Sequence, residues 1–443
     1  MRFAIRLIVV FVLVVSGLAP ALAIDIKEVK SPMGITAWLV EDHTIPLIAM
    51  NFSFDGGGAQ DPAGKDGLAH FLTGMLDEGA GPLDSAAFQA RRDELAVKLS
   101  FDSSLDHFEG KFQTLSRNRD ASFGLLKLAV TFPHFDAGPM ERVRGQFLIG
   151  AQQNLEDPDH IASNAWMMAG FGNHPYARES DGTAASIAAM TTDDLKALHQ
   201  KLFTRKSLKI SVVGDIDADS LARLLDETFG ELPDTEPMAP PAAVSFAKGP
   251  SLRIIDRDIP QSVIMFGHDG ILRSDKDFIP AYVMSFILGG GGFGSRLTEE
   301  VREKRGLTYG IGVGLYPLDH AGLFLGSVGT RNEKAKETIE VAKDVMKRFA
   351  EEGPTAEELA DAKTYLTGSY ALRFDSNAKI ANVLLSLQQD NLGSQYINNR
   401  NAMIEAVTLD QVRQQAKRLV RPDDMSITIV GRPVGITPSG TSG

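Results

Sequence analysis

The 443-residue sequence has no cysteine. That absence excludes disulfides, thiol nucleophiles, cysteine-ligated metals and lipid attachment to an N-terminal cysteine. Basic charge is also in deficit: 45 lysines and arginines face 57 acidic residues, a formal charge of −12. An acidic balance of this size argues against a nucleic-acid-binding protein, although a local basic patch is compatible with it. Hydrophobic residues at 43% and charged residues at 23% exclude both wholesale disorder and a multispan membrane protein. What is left is a globular chain long enough for two or three compact units with substantial cores.

The one strongly apolar run is at the start. Arg2 and Arg6 precede an uninterrupted apolar stretch from Leu7 to Val15, then Gly17, Pro20 and the small-residue pattern Ala21-Leu22-Ala23. Met1 to Ala23 therefore reads as a cleavable secretory signal rather than a spanning helix, with the periplasm as destination. Its removal takes away two arginines and no acid, moving the formal charge from −12 to −14.

The remainder contains a repeat. Met190-Thr-Thr-Asp-Asp-Leu-Lys leads to Ser207-Leu-Lys-Ile-Ser-Val-Val-Gly214, and Val407-Thr-Leu-Asp-Gln-Val-Arg leads to Asp424-Met-Ser-Ile-Thr-Ile-Val-Gly431. The offset stays at 217 throughout, pairing Thr191 with Thr408, Leu202 with Leu419 and Gly214 with Gly431. Each copy predicts a Thr-capped helix followed by a β-branched strand stopped by glycine. Two related halves follow, 24–232 and 250–434, joined by a proline-rich linker at 233–249 and trailed by a tail at 435–443. Strands and helices mix without regular alternation, so the expected class is α+β.

The most informative stretch runs Asp55-Gly-Gly-Gly-Ala-Gln-Asp-Pro-Ala-Gly-Lys-Asp-Gly-Leu-Ala-His70-Phe-Leu-Thr73-Gly74. A strand, Leu47 to Phe54, feeds a glycine-rich turn and a helix from about Gly67, with Leu68, Phe71, Leu72, Met75 and Leu76 as its apolar stripe. His70, Thr73 and Gly74 share one face of that helix. This region, with His174-Pro-Tyr176, Gly214-Asp215 and Arg302-Glu-Lys-Arg-Gly-Leu-Thr-Tyr309 in the same order, resembles the inverted-zincin metallopeptidases of the pitrilysin, insulysin and mitochondrial-processing-peptidase family. The resemblance spans essentially the whole chain after the signal. It implies two homologous halves, each a mainly antiparallel sheet packed with helices, forming one side of a clam-like chamber.

In that family the helix carries His-x-x-Glu-His, in which the histidines bind zinc and the Glu activates water; a Glu on a later helix completes the metal site. Here His70 matches the first ligand, but Thr73 stands at the general base, Gly74 at the second histidine and Gly150 at the third ligand. Thr is no effective base near neutral pH and Gly offers no ligand, so no metal is expected in this chain. Two other roles for His70 are open: a partly buried or capping imidazole, or a zinc site rebuilt with His107, read as a strand residue, or His174, read as a loop residue.

The second half differs. Its glycine run, Gly289 to Gly292, lacks the preceding strand and the Lys-Ser/Thr ending of a phosphate loop. A helix from about Ser295 to Arg305 should end at a left-handed Gly306, followed by a strand alternating through Leu307, Tyr309, Ile311 and Val313. From the residues alone, Arg302 could serve a helix-face salt bridge and Tyr309 a core position. The resemblance implies instead that they contact substrate, Arg302 through peptide carbonyls and Tyr309 toward the oxyanion of amide hydrolysis. It also implies a zinc-less subunit whose homologous partner bears His-x-x-Glu-His and the zinc, acting on short or unfolded peptides. A structural or peptide-binding member without proteolytic role and an autonomous peptidase with an unusual site are the alternatives.

Overall fold

The computed structural model of the protein describes residues 24–437, so Met1–Ala23 and the end of the tail lie outside it. Among the described residues no helix is long and apolar enough to cross a membrane. Two sheets organise the chain, and the class is α+β as expected. The first runs Lys27–Lys30, Thr36–Glu41, Lys209–Gly214, Leu47–Asp55, His107–Leu115, Lys98–Ser103 from edge to edge. The second runs Ser251–Ile255, Ser426–Val430, Gln261–Asp269, Gly322–Arg331, Thr308–Pro317. Beyond the extra first strand the two orders are the same. In each, the repeated strand pairs in parallel with its earlier neighbour and antiparallel with its later one.

The repeat has a physical basis in its ends. Thr191 and Thr408 both close capping boxes: each hydroxyl accepts from the backbone three residues on, at 3.2 Å, while Asp194 or Gln411 reaches back at 2.8 Å. The strands end at Gly214 (φ +139°) and Gly431 (φ +136°), a conformation that favours glycine. Cap, helix, strand and stop thus form one unit used twice.

The two halves exchange helices. Pro158–Phe171, from the first half, lies on the Ser426–Val430 and Gln261–Asp269 strands of the second sheet, while Asn377–Gln389 lies on Lys209–Gly214 and Leu47–Asp55 of the first. The exchange is anchored by side chains on carbonyls. The Trp166 indole donates to Ser426 O at 2.9 Å, and the Gln388 amide donates to Ile210 O at 2.9 Å. Ser211 Oγ adds a 2.7 Å bond to Ala381 O. Residues 232–250 have no regular secondary structure, yet Phe246 is buried and stacks on Trp166 at 4.1 Å.

His174-Pro-Tyr176 closes the same junction. The Tyr176 hydroxyl donates to Asp106 at 2.6 Å and accepts from His320 N at 3.1 Å, while Asp319 N donates to the other oxygen of Asp106. His107 bridges the halves through Asp319 at 3.2 Å. Burial alone would lower the His107 pKa, but the Asp319 bond and the charges of Asp319 and Asp55 outweigh it and the pKa is raised.

Candidate functional site

The His70 helix, Leu68–Thr73, is held at its start by a carboxylate that sequence reasoning quoted but gave no role. Asp61 is buried and accepts from Gly67 N, Leu68 N and Ala69 N at 2.8–2.9 Å. One side chain therefore satisfies three of the donors that a helix N-terminus leaves unpaired. Burial is the largest influence on Asp61, and although the three N–H donors pull the other way, its pKa is pushed up to about 7. Arg178 completes the clamp, donating to Asp61 O at 2.7 Å and pairing with Asp66 at 3.5 Å. The recoverable signal was an Asp a few residues before a glycine-started helix.

Leu68, Phe71 and Leu72 turn inward and are buried, leaving His70, Thr73 and Gly74 half-exposed. Regular helix stops at Thr73, earlier than the apolar stripe suggested; Gly74 and Met75 continue in tighter turns, with Met75 N bonded to Leu72 O. The facing helix is Ala137–Asn154. Phe147 sets its ring against His70 at 4.8 Å and against Phe71 at 5.1 Å. A Cβ at position 74 would lie 2.9 Å from Phe147 Cε2 and 3.1 Å from Val143 Cγ1.

Where a second metal-binding imidazole would project, an aromatic ring already stands. The Thr73 hydroxyl is turned away, donating to His70 O at 2.6 Å. Gly150 lies one turn beyond Phe147, and a Cβ there would meet nothing within 4 Å. Among the described residues His70 thus belongs to no cluster of metal-ligating side chains, and these residues do not fit zinc.

The other histidines do not rebuild the site. His107 is a strand residue paired to Asp319 and, at 3.7 Å, to Asp55. His174 caps the short turn at Pro175, accepting from Tyr176 N at 3.2 Å, with its other nitrogen 2.9 Å from Ala242 O. Among the described residues, the one trio of metal-ligating side chains with ligand atoms within 4.8 Å of one another is His160, Glu179 and Asp181. His70 is not in it.

Arg302 and Tyr309 come together in the second half. Both line a surface groove of about 510 Å³, with Gln261, Gly306 and Arg331 among its other walls. The expected α-helix before them is instead a wider turn at Thr298–Glu303, in which Lys304 N reaches back to Glu299 O. Gly306 follows in the left-handed conformation (φ +59°), as anticipated, with Leu307 N bonded to Val301 O. Such wide turns recur at functional sites. Arg302 has Glu303 at 3.4 Å.

Tyr309 departs from the expected alternation. Leu307, Ile311 and Val313 are buried, but Tyr309 is 87% exposed. Pairing with the Gly322–Arg331 strand jumps from Thr308–Thr330 to Ile311–Val328, so one extra residue bulges from the edge strand. The Thr308 hydroxyl pins the bulge, donating to Gly329 O at 2.6 Å and accepting from Gly310 N. Bulges re-aim side chains in this way, and the core-tyrosine alternative is excluded by the exposure.

With this geometry in hand, similarity to known proteins can be placed. The family model described as the peptidase M16 inactive domain matches residues 189–366. The crystal structure of a peptidase M16 inactive domain from Pseudomonas fluorescens superposes with a TM-score of 0.87 at 30% identity, covering 94% of this chain and 99% of the other. A Helicobacter pylori protein described as a non-peptidase homolog is 27% identical over 88% of this chain and 90% of its own. A Mycobacterium tuberculosis protein described as an uncharacterized zinc protease is 26% identical over 90% and 92%. The chain belongs to the M16 peptidase family, among its inactive members.

Proposed function

We propose that this chain is the zinc-less subunit of a two-chain periplasmic metallopeptidase, reached through a cleaved signal at Met1–Ala23. The observation that carries this reading is the contrast between its halves: Phe147 packs on His70 and against Gly74, whereas Arg302 and Tyr309 share an open groove. A homologous partner bearing His-x-x-Glu-His would hold the zinc. Arg302 would donate to peptide carbonyls, and the Tyr309 hydroxyl toward the oxyanion formed on hydrolysis.

The test is reconstitution with a homologous chain that carries His-x-x-Glu-His. The two should co-elute, and an unfolded peptide should be cleaved by the mixture and not by this chain alone. In the mixture, Arg302→Ala and Tyr309→Phe should each lower kcat/KM by about 10- to 100-fold, the range of a lost transition-state donor. Stoichiometric zinc and peptide cleavage by this chain alone would overturn the reading. Pair formation with no effect of either variant would favour a structural or peptide-binding member.

A further inference from the structure

The exchanged helix Asn377–Gln389 covers only the middle of the first sheet. Beyond it, the outward face of the His107–Leu115 and Lys98–Ser103 strands is open and forms the floor of a trough of about 930 Å³. Strand alternation dictates which residues reach it. Phe108 and Phe112 turn into the core, so Lys111 and Gln113 turn out, and Lys98 and Ser100 join them from the edge strand. Lys111 stands opposite Ser100 on one side and Asn51 on the other, with no carboxylate in register with it.

The walls add charge of the same sign. Arg92 rises from the helix before the edge strand, and Arg373 and Lys379 from the second half, so both halves build the trough. Five basic side chains line it against one acid, Asp93, in a chain where acids outnumber bases. Two of the five are already engaged: Arg92 with Asp77 at 2.9 Å and Lys379 with Asp375 at 2.7 Å. Lys98, Lys111 and Arg373 are exposed, and among the described residues none has a carboxylate partner. Acids return only farther along the same face, where Asp102 stands opposite Glu109, itself bound by Gln389 at 2.8 Å. The 70%-exposed Leu372, with the half-buried Val383, gives the basic end an apolar patch.

Three like charges on a concave face have no internal reason to be together, since their repulsion costs stability unless something of opposite sign covers them. We infer that the trough binds an acidic peptide segment, its carboxylates on Lys98, Lys111 and Arg373 and an apolar side chain on Leu372 and Val383. The site belongs to this chain alone. It rests on the function proposed above only in making that peptide a substrate, and its test therefore uses neither partner nor proteolysis.

Isothermal titration of the purified chain with a short Glu- and Leu-containing peptide, and with the same peptide carrying Lys for Glu, separates the outcomes. The acidic peptide should bind at least about tenfold tighter, with affinity falling steeply as salt rises. The triple reversal Lys98→Glu, Lys111→Glu, Arg373→Glu should invert that preference, and the triple Gln variant, which carries less risk to folding, should abolish it. Reversal at Lys347, exposed on another helix, should change nothing. Equal binding of the two peptides, or unchanged binding by the triple Gln variant, would overturn the inference, whatever a reconstituted peptidase then does.

Discussion

The two halves of this protein share a framework and differ in what they carry on it. Each has the same five-strand order, the same Thr-capped helix leading to a glycine-stopped strand, and a helix lent to the other half's sheet. On that framework the first half carries Thr73, Gly74 and the ring of Phe147 beside His70, while the second carries Arg302 and an outward Tyr309. The repeated framework is held by capping boxes, strand pairing and the exchanged helices, which lie apart from His70, Thr73 and Arg302. One architecture can therefore carry different side-chain sets in its two halves.

That separation is most exposed to test where the halves depend on each other. Trp166 is buried, stacked on Phe246 and bonded to Ser426 O, whereas the reciprocal helix reaches its sheet through Gln388. The exchange is symmetric in geometry and should be asymmetric in energy. Trp166→Ala is expected to cost about 3–5 kcal/mol, the range for emptying a buried aromatic site. Gln388→Ala should cost about 1 kcal/mol, one hydrogen bond with partial solvent compensation. Urea denaturation measures both; equal losses would show that the exchange is held alike from both sides.

A smaller effect is expected at the start of the His70 helix. Asp61→Ala strands three backbone donors and should cost about 2 kcal/mol. Because the folded pKa of Asp61 is raised to about 7 from an ordinary 3.8, its contribution is full below about pH 4 and is lost as pH rises through 7. The stability difference between wild type and Asp61→Asn, which cannot titrate, should therefore favour wild type more at pH 5 than at pH 8. Thermal unfolding at the two pH values reads this, and a difference that grows with pH would mean that the three N–H donors outweigh burial.

How far these features could be read in advance follows from where their causes lie. The repeat, the caps at Thr191 and Thr408 and the left-handed Gly306 are local, so the residues themselves announce them. Thr73 and Gly74 after His70 were legible as letters, but the Phe147 ring packed against them was not, because it comes from a helix distant in sequence. The exposure of Tyr309 escapes the alternation for a subtler reason: strict alternation holds only while pairing is regular, and the bulge pinned by Thr308 depends on a partner strand. The trough was invisible, since Lys98, Lys111 and Arg373 meet only once the halves have exchanged helices.

The smallest effects bear most directly on why the residues around His70 do not fit zinc. Gly74→His must displace Phe147 and Val143 and should cost about 1–3 kcal/mol, as overpacking does. Gly150→Glu faces open space on a helix where glycine is the poorer former, and should be stabilising by about 0.5 kcal/mol. Letters alone treat the two positions as equivalent losses, but their surroundings make one closed and the other vacant. Restoring Thr73→Glu, Gly74→His and Gly150→Glu together should then leave the chain without stoichiometric zinc, and adding Phe147→Ala should let it bind. Zinc uptake by the triple variant with Phe147 in place would show that the ring yields, and that only the ligands themselves had been lost.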